Sequence, residues 1–308
     1  MGKDISASAA ALGSRGGRAG TGAAKRRGDS DFYRRLVALR KDRKAASTGM
    51  RHRHLTHQEF TLAAIDVIIS SGQRAAWERL RLALLRDAGI RDKVLFAAAY
   101  LQRILPAAVL VGGSASALHA RHRISLDADH ELTDLTQRFD TVLAQLESVA
   151  GWQTARVQRP VQILGSLDSI LTGVRQLIRK KPMETQTIRW RRHTITLPTL
   201  EEMVRIKAVL ILKRNATRDY LDFVAMCDRL GESTSSDALR PLDRLYPQPN
   251  KESPLQQLII QLANPLPYDL EETRLSEYKR LVPRWHDWNA VRLACARCAA
   301  SLFDRVSE

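Results

Sequence analysis

The sequence predicts an α+β protein, with a mixed β-sheet core flanked by helices, an N-terminal helical region and a C-terminal helical bundle. Three observations predict it. Apolar residues recur at helical spacing before Leu105, as in WERLRLALLRD, where Trp77, Leu80, Leu84 and Leu85 make one stripe. After Pro106 the period becomes two, clearest in ISLDADHEL, where Ile124, Leu126 and Ala128 alternate with Ser125, Asp127 and Asp129. After Pro198 helical spacing returns. The expected divisions are a tail over 1–30, a helical region over 31–105, an α/β core over 106–198 and a helical domain over 199–308.

The tail is rich in Gly, Ala, Ser and Arg and has too few large apolar side chains to offset the entropy of ordering, so it is expected to be disordered. In RHRHLTHQ, His52, His54 and His57 have Glu59 as the only acid nearby, which favours a solvated linker over a metal site. AAVLV (107–111) reads as a buried strand closed by Gly112-Gly113, and SASALHAR as a short helix. A strand over 124–132 is followed by a helix over 133–150 carrying Leu135, Phe139, Val142, Leu146 and Val149. WQTARVQ, PVQILG and TQTIRWRRHTITL read as further strands. Thr199 with Glu202 forms a capping-box signature, opening a helix through MVRIKAVLILKR. A second helix, RDYLDFVAMCDRL, stops at Gly231. Beyond a Pro-containing connection at 241–254 the chain is helical again, with Trp285 and Trp288 read as packing residues.

Composition narrows the function classes. The 308 residues carry a formal charge of +16 and a pI near 10.3, a balance that favours polyanionic partners such as nucleic acid. No run of about 18 apolar residues predicts a membrane span, and no apolar leader predicts secretion, so a cytoplasmic location is expected. Cys227, Cys295 and Cys298 are too few for a disulfide framework. Cys295 and Cys298 fall on one face of an alanine-rich helical pattern without a second ligand pair, so they read as structural.

The chemistry concentrates in VLVGGSASALHARHRISLDADHEL (109–132). On a strand, Asp127 and Asp129 point the same way, and two convergent carboxylates repel unless a cation joins them. Hard oxygen donors suit Mg²⁺ or Mn²⁺. The turn Gly112-Gly113-Ser114 opens a helix, which offers N–H groups and a positive dipole end to phosphate. Together the parts describe a cradle for an NTP, with amides and Ser114 on the phosphates and metal on the carboxylates; Arg121, His122 and Arg123 crowd the approach, reading either as a solvated bend or, for Arg123, as a phosphate clamp.

G-[GS], about a dozen residues, then D-x-D resembles the DNA polymerase beta-like nucleotidyltransferase superfamily; here twelve residues separate Ser114 from Asp127. More closely, the segment resembles the AbiEii/MenT-like nucleotidyltransferase toxins, whose Arg-x-Ser-x-Asp-x-Asp is matched by Arg123, Ser125, Asp127 and Asp129. A second block, KAVLILKRNATRDYLDF (207–223), carries the family's spacing at Lys207, Arg214, Arg218, Asp219 and Asp222. Lys207, Arg214 and Arg218 share one face if the helix is continuous, and Asp222 lies four residues after Arg218, in position to orient it. The resemblance implies a nucleotidyltransferase-type core, NTP as co-substrate, Mg²⁺ (or Mn²⁺) on Asp127 and Asp129, and Lys207 neutralising phosphate. It implies a toxin that transfers a nucleotide to the 3′ end of tRNA and is opposed by a cognate antitoxin. For a third carboxylate the candidates are Asp168, Asp219 and Asp222. Two alternatives stay open: transfer to a protein or small molecule, and an inactive member that only binds RNA or protein. Trp190, among Arg189, Arg191 and Arg192, reads either as a base-stacking platform or as a half-buried strand residue.

Overall fold

The computed structural model describes residues 89–307. The expected tail, most of the N-terminal helical region, His52, His54 and His57, and the stripe from Trp77 to Leu85 lie outside the described residues.

Helix α1 (Ile90–Ile104) buries Val94, Leu95, Ala98 and Leu101. Strand β1 (Val109–Leu110), helix α2 (Gly112–Ala120) and strand β2 (Asp127–Leu132) follow. Next come helix α3 (Phe139–Glu147) and strands β3 (Trp152–Gln158), β4 (Gln162–Leu167) and β5 (Ile170–Gln176). These strands form one sheet in the order β1-β2-β5-β4-β3, with β2 and β5 parallel and the remaining pairs antiparallel. A separate hairpin joins β6 (Thr185–Trp190) to β7 (His193–Pro198). Helices α4 (Leu200–Arg214), α5 (Thr217–Leu230), α6 (Glu232–Leu239), α7 (Leu242–Leu245), α8 (Pro254–Ala263) and α9 (Trp288–Ser307) complete the chain. The fold is therefore α+β, a mixed sheet flanked by helices.

Several elements differ in extent from the sequence reading, each for a local reason. The strand expected over 124–132 begins at Asp127, because the Ile124 N–H donates instead to the carbonyl of Lys279, at 2.8 Å. The helix expected from residue 133 begins at Phe139. The Gln176 side chain holds the intervening loop, accepting from the Thr136 N–H and donating to the Thr133 carbonyl. TQTIRWRRHTITL is two strands rather than one, reversing at Arg191, whose backbone is left-handed (φ 51°). Strand β5 had no counterpart in the sequence reading. The capping residue is as expected: the Thr199 hydroxyl accepts from the Glu202 N–H at 3.2 Å. The Glu202 carboxylate does not reach back; it is buried between Arg179 and Arg205.

The alternation along β2 sorts its side chains between two environments. Ala128, His130 and Leu132 are buried on the face that joins α1 and α3 in the core. Asp127, Asp129 and Glu131 take the other face. His130 is wholly inside, and burial pushes its pKa down to about 4, with the nearby backbone of Ala128 offsetting only part of that. An unfolded histidine titrates near ~6.5, so below that pH the unfolded chain accepts a proton that the folded chain refuses. Stability is complete above the unfolded value and is lost as pH falls toward the folded one. The thermal midpoint is expected to drop between about pH 7 and about pH 4.5, and His130→Gln to flatten that drop. An equally steep drop in the variant, followed by circular dichroism, would assign it to other groups.

Candidate active site

Each glycine of the turn is dictated by a neighbour. Gly112 has a left-handed backbone (φ 69°), and a Cβ there would stand 3.3 Å from Asp129 Oδ2. A Cβ on Gly113 would fall 2.5 Å from Ser125 Oγ and 2.7 Å from Arg123 Nη2. Two bare residues thus let the first turn of α2 close onto both the acids and the segment before them. The N–H groups of that turn have no acceptor within the helix, and they carry the positive end of its dipole. Ser114 departs from expectation. Its hydroxyl is buried and donates to the Asp127 carbonyl, so it docks α2 on β2 rather than facing a phosphate.

Asp127 and Asp129 share one face of β2, and Ser125 Oγ donates to Asp127 Oδ1 at 2.6 Å. Burial, and then the charge of Asp127, raise the Asp129 carboxyl above its ordinary range, which Arg175 at 3.7 Å only partly offsets. Glu131 extends the same face and is pushed up to about 7 by burial. The period-two spacing thus carries on through D-x-D-x-E, but Glu131 does not line the cavity that the pair faces.

The second block is brought here, but in a different arrangement. The helix is not continuous: α4 ends at Arg214, Asn215 turns left-handed (φ 45°), and α5 starts afresh at Thr217. Lys207, Arg214 and Arg218 therefore do not form one helix face, although all three line the same cavity. Asp222 does not orient Arg218. It accepts from Arg123 Nε and Nη2 (2.7 and 2.9 Å) and from His122 Nε2 (2.8 Å), and it pairs with Lys207 Nζ at 2.7 Å. Burial would raise its carboxyl, but Arg123 and then Lys207 hold it well below the usual carboxylate range. Asp219 is likewise buried, opposed by Lys207 (3.0 Å) and by two bonds from Arg214, which together hold its carboxyl low. Burial keeps His122 neutral-leaning, so its Nε2 carries the hydrogen donated to Asp222. Saturated in this way, neither Asp219 nor Asp222 is free to accept a proton from a substrate.

Asp168 is not brought in either. With Ser169 it forms the two-residue β4–β5 turn, both residues at positive φ (47° and 71°), and the Asp168 side chain is exposed and faces Gly151. On β5 the partners of Asp127 and Asp129 are Leu171 and Gly173, so that strand offers no carboxylate beside the pair. Trp190 stacks on His193 at 5.9 Å with Arg191 over its ring, away from the acids on the β6–β7 hairpin. Cys227 and Cys295 are buried free thiols whose pKa burial raises.

The acids, the glycine turn, Arg175, Lys207, Arg214 and Arg218 all line one cavity of about 680 Å³, together with the aromatic Tyr278. Arg218 is exposed and the Arg175 side chain is partly so, and both line the cavity, so cationic side chains border it. The donor set fits a hard divalent ion: two carboxylates, one of them raised by burial and then by its neighbour's charge, which a cation would relieve. Mg²⁺ is commonly held by one or two carboxylates with substrate phosphates completing its shell. Among the described residues no group of three or more His, Cys, Asp or Glu converges as a metal site, so Asp127 and Asp129 would hold it without a third protein acid.

No family model matches this chain. Among curated proteins, the mycolic acid-containing lipids exporter MmpL11 of Mycolicibacterium smegmatis is 30% identical over 129 residues, 41% of this chain and 13% of the exporter. The heme uptake protein MmpL11 of Mycobacterium tuberculosis is 29% identical over the same shares. The chain thus spans 13% of the length of these relatives, and no helix among its described residues is long and apolar enough to cross a membrane. Among solved structures, a protein of H. pylori assigned as a nucleotidyltransferase is 14% identical with a TM-score of 0.44, over 70% of this chain and 95% of its own. The antibiotic-resistance factor ANT(2'')-Ia is 10% identical with a TM-score of 0.38, over 47% of this chain and 87% of its own. Likeness of this degree says nothing of activity.

Two substitutions separate scaffold from chemistry. Asp222→Ala strands Arg123, His122 and Lys207 in the interior and is expected to destabilise the fold by about 3–5 kcal/mol, read by thermal or urea unfolding. Gly113→Ala is expected to push against Arg123 and Ser125, costing some stability through the Arg123–Asp222 pair and weakening binding of a fluorescent NTP about tenfold or more, measured at a temperature where the variant stays folded. Unchanged NTP binding in Gly113→Ala would remove the glycine turn from the site.

Proposed function

We propose that this chain is a metal-dependent nucleotidyltransferase that moves a nucleoside monophosphate from an NTP to the 3′ end of tRNA. In this reading it serves as the toxin of a bacterial toxin–antitoxin pair, blocking translation in the cytoplasm. The observation that carries the transfer chemistry is the approach of the glycine turn to the acid pair, 3.3 Å from the site of a Gly112 Cβ to Asp129 Oδ2. That approach puts helix N–H groups and paired carboxylates against one ligand, the combination a triphosphate with its metal requires. The basic charge of the chain supports an RNA acceptor.

In the cavity the first-turn N–H groups of α2 receive phosphate oxygens, and Arg175 and Arg218 neutralise their charge. Asp127 and Asp129 would hold Mg²⁺ or Mn²⁺, which would supply positive charge against that developing on the leaving pyrophosphate. The acceptor hydroxyl forms the new bond to the α-phosphorus, the bond from that phosphorus to the bridging oxygen breaks, and pyrophosphate departs. With Asp168, Asp219 and Asp222 directed elsewhere, the hydroxyl proton passes to water. Lys207, fixed between Asp219 and Asp222, sets the position of the network behind the cavity rather than reaching into it alone.

Incubation of the protein with each α-labelled NTP and total tRNA is expected to label the tRNA. Asp127→Ala should lower transfer about 1,000-fold, matching several kcal/mol of lost charge stabilisation, with an unchanged unfolding midpoint. Label appearing in a protein or a small hydroxyl compound instead would relocate the acceptor. Growth inhibition that survives Asp127→Ala would support a module that acts by binding alone.

A further inference from the structure

The segment from Arg121 to Ser125 borders a second cavity of about 510 Å³, and Arg123, Ile124 and Ser125 line both cavities. Its lining is basic and apolar: Arg91, Arg121 and Arg280 join Leu95, Leu118 and Ile124, with no carboxylate among the described residues. Arg123 is already neutralised by Asp222, whereas Arg91, Arg121 and Arg280 are all exposed and have no carboxylate partner among the described residues. Two of these three arginines, Arg121 and Arg280, hold left-handed backbone at φ 54° and 51°, a conformation uncommon outside glycine. Their segments are tied together, the Ile124 N–H donating to the Lys279 carbonyl (2.8 Å) and the Val282 N–H to the His122 carbonyl (2.9 Å). The result is an uncompensated cationic rim around an apolar floor, next door to the acids.

We propose that this second cavity seats the RNA acceptor beside its reactive end, with Arg91, Arg121 and Arg280 on backbone phosphates and a ribose or base on Leu95 and Leu118. The proposal rests on the reading of the first cavity as the nucleotide site. A transfer reaction needs donor and acceptor in adjoining sites, and these two cavities share a wall. Phosphate contacts fix the register of a nucleic acid, and an apolar floor tolerates any base, so the site positions a strand end without reading its sequence.

The test uses the full chain and 5′-fluorescein-labelled tRNA, followed by fluorescence anisotropy across a salt series. The Arg121→Glu/Arg280→Glu double variant is expected to bind at least tenfold more weakly, with a salt slope shallower by about 2, given roughly 0.7–0.9 per phosphate contact. Arg91→Glu, at an ordinary helical position, is expected to weaken binding severalfold with an unchanged unfolding midpoint, which guards against a folding defect at the two strained positions. Binding of the four mant-labelled NTPs should be unaffected by any of these changes. Wild-type affinity and slope in every variant would overturn the proposal. So would variants that lose NTP rather than tRNA, since that assigns the arginines to the donor. Binding of tRNA through these arginines without nucleotide transfer would uphold the cavity and refute the catalytic reading alone.

Discussion

Asp222 lies wholly inside the protein, is ionised, and joins segments that are a hundred residues apart. His122 and Arg123 come from the loop before β2, Lys207 from α4, and the carboxylate itself from α5. Removing such a charge from water costs several kcal/mol, and the cost is tolerable only because both of its oxygens are occupied by cationic or N–H donors. From there the constraint passes outward. Arg123 lies against Gly113, Gly113 starts α2, and Gly112 lies against Asp129. A shift at any link moves the glycine turn relative to the acids.

The cations divide into two groups by their partners. Arg123, Arg214 and Lys207 are balanced by Asp219 and Asp222 and hold the walls in place. Arg218 and Arg175 stand at the cavity itself, the former exposed and the latter only loosely engaged by Asp129. Donors fixed before a ligand arrives need no reorganisation when charge develops, which is where preorganised sites gain most of their effect. The internal balance also explains why so basic a cavity wall can stay packed.

What the sequence made legible followed the range of each interaction. The glycine turn and the alternating acids could be read because a tight turn and a strand face are set by neighbours a few positions away. The mixed α+β class could be read from the change of period at Pro106 and Pro198 for the same reason. The role of Asp222 could not, because two of its partners, His122 and Arg123, sit about a hundred residues away, and nearby Arg218 offered a plausible local alternative. The division into two helices at Asn215 could be read, since MVRIKAVLILKR and RDYLDFVAMCDRL separate there, but the Tyr220 and Gln261 side chains that bond Asn215 and support its left-handed backbone could not. Asp168 misled because a carboxylate of the right distance in sequence fell in a tight turn lacking the usual Asn-Gly or Asp-Gly signal.

Gly173 stands on β5 directly across from Asp129, where a further acid would complete the carboxylate set. A Cβ at that position would meet the Ile163 carbonyl oxygen at 2.5 Å and Leu164 Cδ2 at 2.7 Å. The leucine can be trimmed, but the carbonyl belongs to the backbone of β4 and cannot withdraw without breaking the ladder. An acid at 173 would therefore need β4 to move first, so the packing of β4 against β5, and not the chemistry of the acid pair, is what keeps that position bare.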